Sequence, residues 1–259
     1  MKFGLKLWSS NTDLVKQAVQ LIDQKIFDYI ELFVIPETPI SSFLIDVPYI
    51  IHIPHHKFGV NIGETGRKKH NLQRIGESIT WADKLNAGYL ILHAGHDSME
   101  DARELLSEVT DSRLLIENMP KIGLDGENMI GYSPEQIEDL VRVNNAGVCL
   151  DFGHAVKAAA SLRLDYKEFI NEFLHFEPKV FHISDGMVDT EKDEHLNIGD
   201  GEYDFEYFVR CVKNNPDGLM TLETPRFNNN SLQEDLQNVH KLKTMKSYKN
   251  VIDRKNRDR

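Results

Sequence analysis

Eight short apolar runs recur along the chain at regular intervals, and this spacing constrains the fold more than any other feature. They are FGLKLW near residue 3, DYIELFV near 28, YIIHI near 49, YLILHA near 89, RLLIEN near 113, GVCLDF near 147, KVFHIS near 179 and LMTLET near 219. Between most of them lie stretches with helical periodicity, such as DLVKQAVQLIDQ, NLQRIGESITWADKL, DYKEFINEFLHF and SLQEDLQNVHKL. The segment SPEQIEDLV carries a helix start: Ser133 is a cap, Pro134 fits the first helical position and Gln136 can close a capping box. Eight strands alternating with helices in 259 residues is the count and size of a single (β/α)8 TIM barrel of the α/β class. A doubly wound sheet would show a glycine-rich phosphate turn after its first strand, and LKLWSSNTD has none. No linker or low-complexity tract divides the chain, so 1–245 reads as one barrel and 246–259 as a basic C-terminal tail.

Composition narrows the function classes. Hydrophobic residues at 41% and charged residues at 27% describe an ordinary globular protein. No apolar run reaches the roughly 18 residues of a membrane helix, and MKFGLKLWSS is too short and polar for a signal peptide. Two cysteines, Cys149 and Cys211, make no disulfide framework, which points to a reducing, cytoplasmic setting. The formal charge of −11 weighs against gripping nucleic acid over a broad surface.

The strand ends carry the chemistry. The third strand ends at His52, the fourth at His93, the fifth at Glu117, the sixth at Asp151, the seventh at His182 and the eighth at Glu223. Two residues earlier stand Ile50, Ile91, Leu115, Cys149, Val180 and Thr221, which share their direction and point toward the barrel axis. Barrel enzymes build their sites at this carboxyl-terminal rim. Six oxygen and nitrogen donors on one rim suit a divalent metal such as Zn, Mn, Fe, Co or Mg rather than a closed thiolate site. In GVCLDFGHA, His154 follows Asp151 by three residues. In DEHLNIGDGEYDF, Asp193 and His195 stand two apart, before a loop that Gly199 and Gly201 make tight. His55 competes with His52 for the third-strand position. Trp8 at the end of the first strand could stack on a sugar ring, and Arg226 is the best-placed cation for an anionic substrate.

The linked order IHIP, ILHAG, LLIEN, CLDFGHA, FHISD, DEHLNIGDGEYDF and LET resembles the xylose isomerase-like barrel superfamily over nearly the whole chain. That superfamily includes sugar isomerases, epimerases and endonuclease IV. The endonuclease IV branch implies three ions: His52, His93 and Glu117 around one, with Glu117 bridging, Asp151, His182 and Glu223 completing a second, and His154, Asp193 and His195 a third. The epimerase branch implies one ion on Glu117, Asp151, His182 and Glu223, with the two glutamates exchanging protons with substrate and His154 contacting it. Against the first branch, FGLKLWSS has no histidine and FVIPETPISSF lacks the Asn-Pro-Arg type loop that probes DNA; against the second, HISDGMVDT lacks the usual arginine.

The leading expectation is therefore a sugar or sugar-phosphate isomerase or epimerase, with a metal-stabilised enediolate, Glu117 and Glu223 as base and acid, and His154 placing a hydroxyl. The alternative is an endonuclease IV-type phosphodiesterase, the one reading in which nucleic acid is a partner, and the third is a barrel that has lost catalysis. One to three ions per chain, no membrane partner and a possible oligomer complete the expectations.

Overall fold

A computed structural model describes residues 1–215 and 218–245, and the basic tail expected at 246–259 lies outside the described residues. Eight parallel strands close into a barrel in chain order: β1 (Lys2–Trp8), β2 (Tyr29–Phe33), β3 (Tyr49–His52), β4 (Leu90–His93), β5 (Leu114–Glu117), β6 (Gly147–Asp151), β7 (Val180–Ile183) and β8 (Leu219–Leu222). The helices are α1 (Val15–Asp23), α2 (Lys68–Lys84), α3 (Met99–Leu106), α4 (Pro134–Asn144), α5 (Phe152–Leu162), α6 (Tyr166–Leu174), α7 (Phe205–Lys213) and α8 (Gln233–Thr244). They are not evenly dealt. A 3-10 turn at Ile40–Phe43 joins β2 to β3, whereas α5 and α6 both lie between β6 and β7.

Strand period two sorts the side chains. Phe3, Leu5 and Leu7 of β1 pack outward into the large core beneath the helices, and Phe152 of α5 stacks on Phe208 of α7 at 4.3 Å. Tyr29, Ile50, Ile91, Leu115, Cys149 and Val180 form a separate buried layer inside the barrel, directly below the ligand-type residues. Gly4 faces this interior because a Cβ there would lie 2.3 Å from the Tyr29 ring. The freed ring reaches across to Thr221, hydroxyl to hydroxyl at 2.9 Å.

Ser133 caps α4 as expected, accepting the Gln136 N–H with Pro134 in the first turn. Gln136 does not complete a capping box; its Oε1 accepts the Gly131 N–H at 2.7 Å and ties down the preceding loop. Both cysteines are free and buried. Among the described residues, no helix is long and apolar enough to cross a membrane.

Candidate metal centre

The carboxyl-terminal rim gathers the strand ends around Glu117. His52 Nε2 and His93 Nε2 lie 3.3 and 3.2 Å from its Oε2. Its other oxygen is 3.2 Å from His182 Nδ1, which is itself 3.1 Å from Glu223 Oε1. Donor atoms within 4.8 Å of one another form the groups His52–His93–Glu117, Glu117–Asp151–His182–Glu223 and Asp151–His154–His195. Glu117 and Asp151 each belong to two of these groups. Asp193 joins the last, its Oδ2 being 2.7 Å from His195 Nδ1 and 3.6 Å from His154 Nε2. Glu223 stands one residue beyond β8 and His182 one residue before the end of β7, yet both face the same space. His55 belongs to none of these groups; its ring stacks on His93 at 5.3 Å and its Nδ1 accepts the Lys57 N–H.

The residues present fit an ion. Metal-binding imidazoles need one nitrogen fixed by an acceptor so that the other offers its lone pair. His52 Nδ1 donates to the Ile53 carbonyl at 2.9 Å, and His154 Nδ1 donates to the Asn118 carbonyl at 2.8 Å. His182 is held the other way round, with Nε2 donating to Glu31 at 3.0 Å. Asp151 Oδ1 caps α5 by accepting the His154 N–H at 2.7 Å, while its Oδ2 is buried without a partner. Buried polar atoms are nearly always satisfied, so this oxygen marks a place for a cation. Cys149 shares a further group with Glu117 and His182, but burial pushes its thiol pKa far up and keeps it neutral.

Electrostatics give the same answer. Glu31, Glu117, Asp151, Asp193 and Glu223 are buried or nearly so, and Lys6 is the lysine that reaches them. With neutral imidazoles this set carries a formal charge of −4, which is costly to bury. Without an ion the site borrows protons. Burial, then the Glu223, Glu117 and Asp193 carboxylates, push Asp151 up to about 6 against the pull of His154. Burial disfavours the His154 imidazolium, but Asp151, Asp193 and Glu117 outweigh it and hold its pKa at about 10. Burial likewise opposes ionisation of Glu117, and His93 and His182 overcome it, holding that carboxyl well below its usual range.

Lys6 is the residue that strand-end reasoning missed. It sits beside Glu31 in the β1–β2 register, with Nζ 3.0 Å from Glu31 Oε1 and in contact with Glu223 Oε1. The signal was present, since apolar Phe3, Leu5 and Leu7 leave Gly4, Lys6 and Trp8 on the inner face. Asn118 was missed too. It latches β5 to β6 by donating to the Asp151 carbonyl and accepting the Asp151 N–H. The Asp193–His195 loop is tied by Asp185, which accepts the N–H groups of Gly199, Gly201 and Tyr203. A Cβ at Gly201 would strike Asp185 and Gly186, so the loop closes only around glycine.

A cavity of about 520 Å³ opens over these donors. Trp8 is 44% exposed on its wall and meets Phe58 edge-on at 5.6 Å. Arg226 also lines the cavity, but its guanidinium forks Asp235 and touches the Lys6 carbonyl.

Residues 45–247 match the family described as xylose isomerase-like TIM barrel. A probable endonuclease 4 of Mycoplasmopsis synoviae is 26% identical over 229 residues, covering 80% of this chain and 77% of that protein. A probable endonuclease 4 of Halothermothrix orenii is 29% identical over 182 residues, covering 60% and 64%. Among solved structures, a D-tagatose 3-epimerase-like protein superposes with a TM-score of 0.76 at 21% identity, covering 98% of this chain and 99% of the other. Endonuclease IV of Thermus thermophilus superposes at 0.68 and 22% identity, covering 94% and 98%. With the closed eight-stranded barrel and this match in agreement, the chain belongs to the xylose isomerase-like TIM barrel family.

Proposed function

We propose that the chain is a metal-dependent hydrolase of a small phosphate ester, with a sugar phosphate as the substrate class. The carrying observation is that eight rim donors fall into three linked groups sharing Glu117 and Asp151, with Asp193 paired to His195 and His154 beside the last. His52, His93 and Glu117 would hold one ion, Glu117, Asp151, His182 and Glu223 a second, and His154, Asp193 and His195 a third. Bound there, divalent ions supply a water of lowered pKa and neutralise charge on the departing oxygen. Starting from −4, two divalent ions leave the set neutral, and a third leaves a surplus of +2 that complements a phosphate.

The chain's own residues prepare that site. Lys6 holds Glu223 in place and partly neutralises it. Glu31 fixes which His182 nitrogen faces inward. Asn118 ties the Asp151 backbone to β5 and accepts the His154 proton on its carbonyl. Trp8, Phe33 and Phe58 close one wall with apolar surface that keeps water from that side. A small substrate is favoured over duplex DNA because three cations near the rim are already paired among the described residues: Lys57 lies 3.3 Å from Asp125, Arg67 3.6 Å from Glu64, and Arg226 is committed to Asp235. The name endonuclease 4 on the two relatives supports phosphoester chemistry.

A second reading, the sugar isomerase or epimerase, rests on Glu117 and Glu223 flanking His182 at 3.2 and 3.1 Å. There one ion would suffice, and the two carboxylates would carry protons to and from adjacent carbons. Chelator-stripped protein reloaded with Zn²⁺ or Mn²⁺ decides between them. Elemental analysis should give three ions per chain, and phosphate should be released from sugar phosphates. One ion, with solvent deuterium entering a ketose, would overturn the hydrolase in favour of the isomerase. Nicking of an abasic duplex without hydrolysis of small esters would overturn the small-substrate assignment.

A further inference from the structure

Lys157 on α5 is 0% exposed and does not line the cavity, so it meets no substrate. Its ammonium is nevertheless fully used. Nζ donates to the Met187 carbonyl at 2.6 Å, to Thr190 Oγ1 at 2.6 Å and to Glu194 Oε2 at 2.5 Å, and it lies 5.6 Å from the Tyr203 ring centre. An ammonium has three protons, and each has an acceptor here. Burying this charge is tolerable only because the set is complete. All three acceptors lie on the loop between β7 and α7. Thr190 also donates to Glu194 Oε1 at 2.6 Å, and Met187 N–H donates to Glu194 Oε2 at 3.0 Å.

Glu194 stands between Asp193 and His195, the loop's two candidate ligands. His154, the third donor of that group, lies one turn before Lys157 on the same helix. The loop backbone needs a restraint here: His195 has φ 47°, a left-handed conformation that costs a non-glycine residue free energy. We propose that Lys157 is a positioning residue that presets the third ion site, locking the Asp193–His195 loop to the helix that carries His154. The clamp contains none of the ligands themselves, so it forms before any ion arrives. This inference rests on the three-ion reading and assigns one of those ions a device specific to this chain.

The test is titration of chelator-stripped protein with Zn²⁺, and with Co²⁺ as a spectroscopic probe, comparing wild type, Lys157→Met and Glu194→Gln. Replacing groups that orient metal ligands typically weakens an ion by about 10–100-fold. In K157M the first two ions should bind within about threefold of wild type, while the third weakens by that factor. The Co²⁺ absorption of the third equivalent should be lost, which a change in stability alone would not bring about. E194Q keeps an acceptor for the ammonium and should show a smaller loss in the same equivalent. Should K157M fail to fold, E194Q and Thr190→Val carry the test, since both side chains lie at the outer end of the clamp. Wild type holding three ions, with the third unaltered in the variants that fold, would overturn the role of Lys157 alone. Wild type holding fewer than three would overturn the three-ion reading and this inference together.

Discussion

Glu31→Gln tests the architecture beneath the proposed ions without replacing any of the rim donors. Glu31 is completely buried, accepts from His182 Nε2 at 3.0 Å and Thr221 Oγ1 at 2.6 Å, and lies 3.0 Å from Lys6 Nζ. A glutamine is nearly isosteric, and its oxygen can still accept from both His182 and Thr221. What changes is charge: the His182 ring loses its anionic partner, and the amide NH2 turns toward the Lys6 ammonium. Burial works against Glu31, but His182 and Lys6 hold its pKa at about 2, so the wild-type partner is a full carboxylate. A carboxylate behind a ligating imidazole raises its basicity, and losing one costs about 10–100-fold in metal affinity. At about 1.4 kcal/mol per tenfold, that is about 1.4–2.8 kcal/mol, expected on the ion proposed for Glu117, Asp151, His182 and Glu223. Thr221→Val removes a charge-assisted hydrogen bond to the same carboxylate, together with the Tyr29 hydroxyl contact, but leaves the anion behind His182, so its metal affinity should fall by less than that of E31Q. Competition for Zn²⁺ against a chromophoric chelator reads both variants. E31Q binding its ions within about threefold of wild type would refute the argument that Glu31 tunes His182.

Other consequences are equally open to measurement. Metal uptake by the stripped protein near neutral pH should release protons, because His154, His182 and His195 are all held protonated above their ordinary values. Apparent affinity should therefore rise with pH, and calorimetry in buffers of different ionisation heat measures the release; a proton count near zero would contradict it. The sign for stability follows the same groups: a raised His154 pKa of about 10 stabilises the ion-free fold below the ordinary histidine range and is lost as pH rises toward 10, so melting of apo protein should fall on that alkaline limb. Asp151→Asn keeps an oxygen to cap α5, so its circular dichroism should match wild type while bound metal falls. Gly4→Ala drives a methyl to 2.3 Å from the Tyr29 ring and should cost about 1–3 kcal/mol of stability in denaturant unfolding.

How much of this was legible in the letters depended on where a residue sat along its strand. His52, His93, Glu117 and Asp151 terminate β3 to β6, so apolar alternation followed by a polar stop announced them. Lys6 and Glu31 stand two residues before the ends of β1 and β2, which continue to Trp8 and Phe33. There the polar residue interrupts a strand instead of ending it. Only the inward direction shared by Tyr29, Glu31 and Phe33 distinguishes Glu31 from an exposed acid. The hold of Asp235 on Arg226 was not readable, because α8 must first fold back against the end of β8. The same is true of Lys157: a lysine in an alanine-rich helix looks like solvent contact until the β7–α7 loop covers it.

On the three-ion reading the sites should not be equal, and the reason lies in the elements that carry them. Glu117, Asp151 and His182 stand on adjacent strands whose register pairs Glu117 with Cys149 and Asp151 with His182. Those donors are held by the barrel ladder itself. The third group draws Asp193 and His195 from a loop, with His195 in a left-handed conformation. A loop held by side-chain contacts keeps its donors in place less firmly than a ladder of backbone hydrogen bonds does, because loops open locally at lower free energy than the barrel strands. Stepwise chelation should therefore empty the third group first. That ion is also the one that turns a neutral site into one with surplus positive charge. Affinity for inorganic phosphate should then collapse while two ions remain bound, and equilibrium dialysis with radiolabelled phosphate at each metal stoichiometry reads this directly. Phosphate bound equally well with two ions and with three would mean that the third serves some purpose other than anion recognition, and the charge argument for a phosphate ester would fail with it.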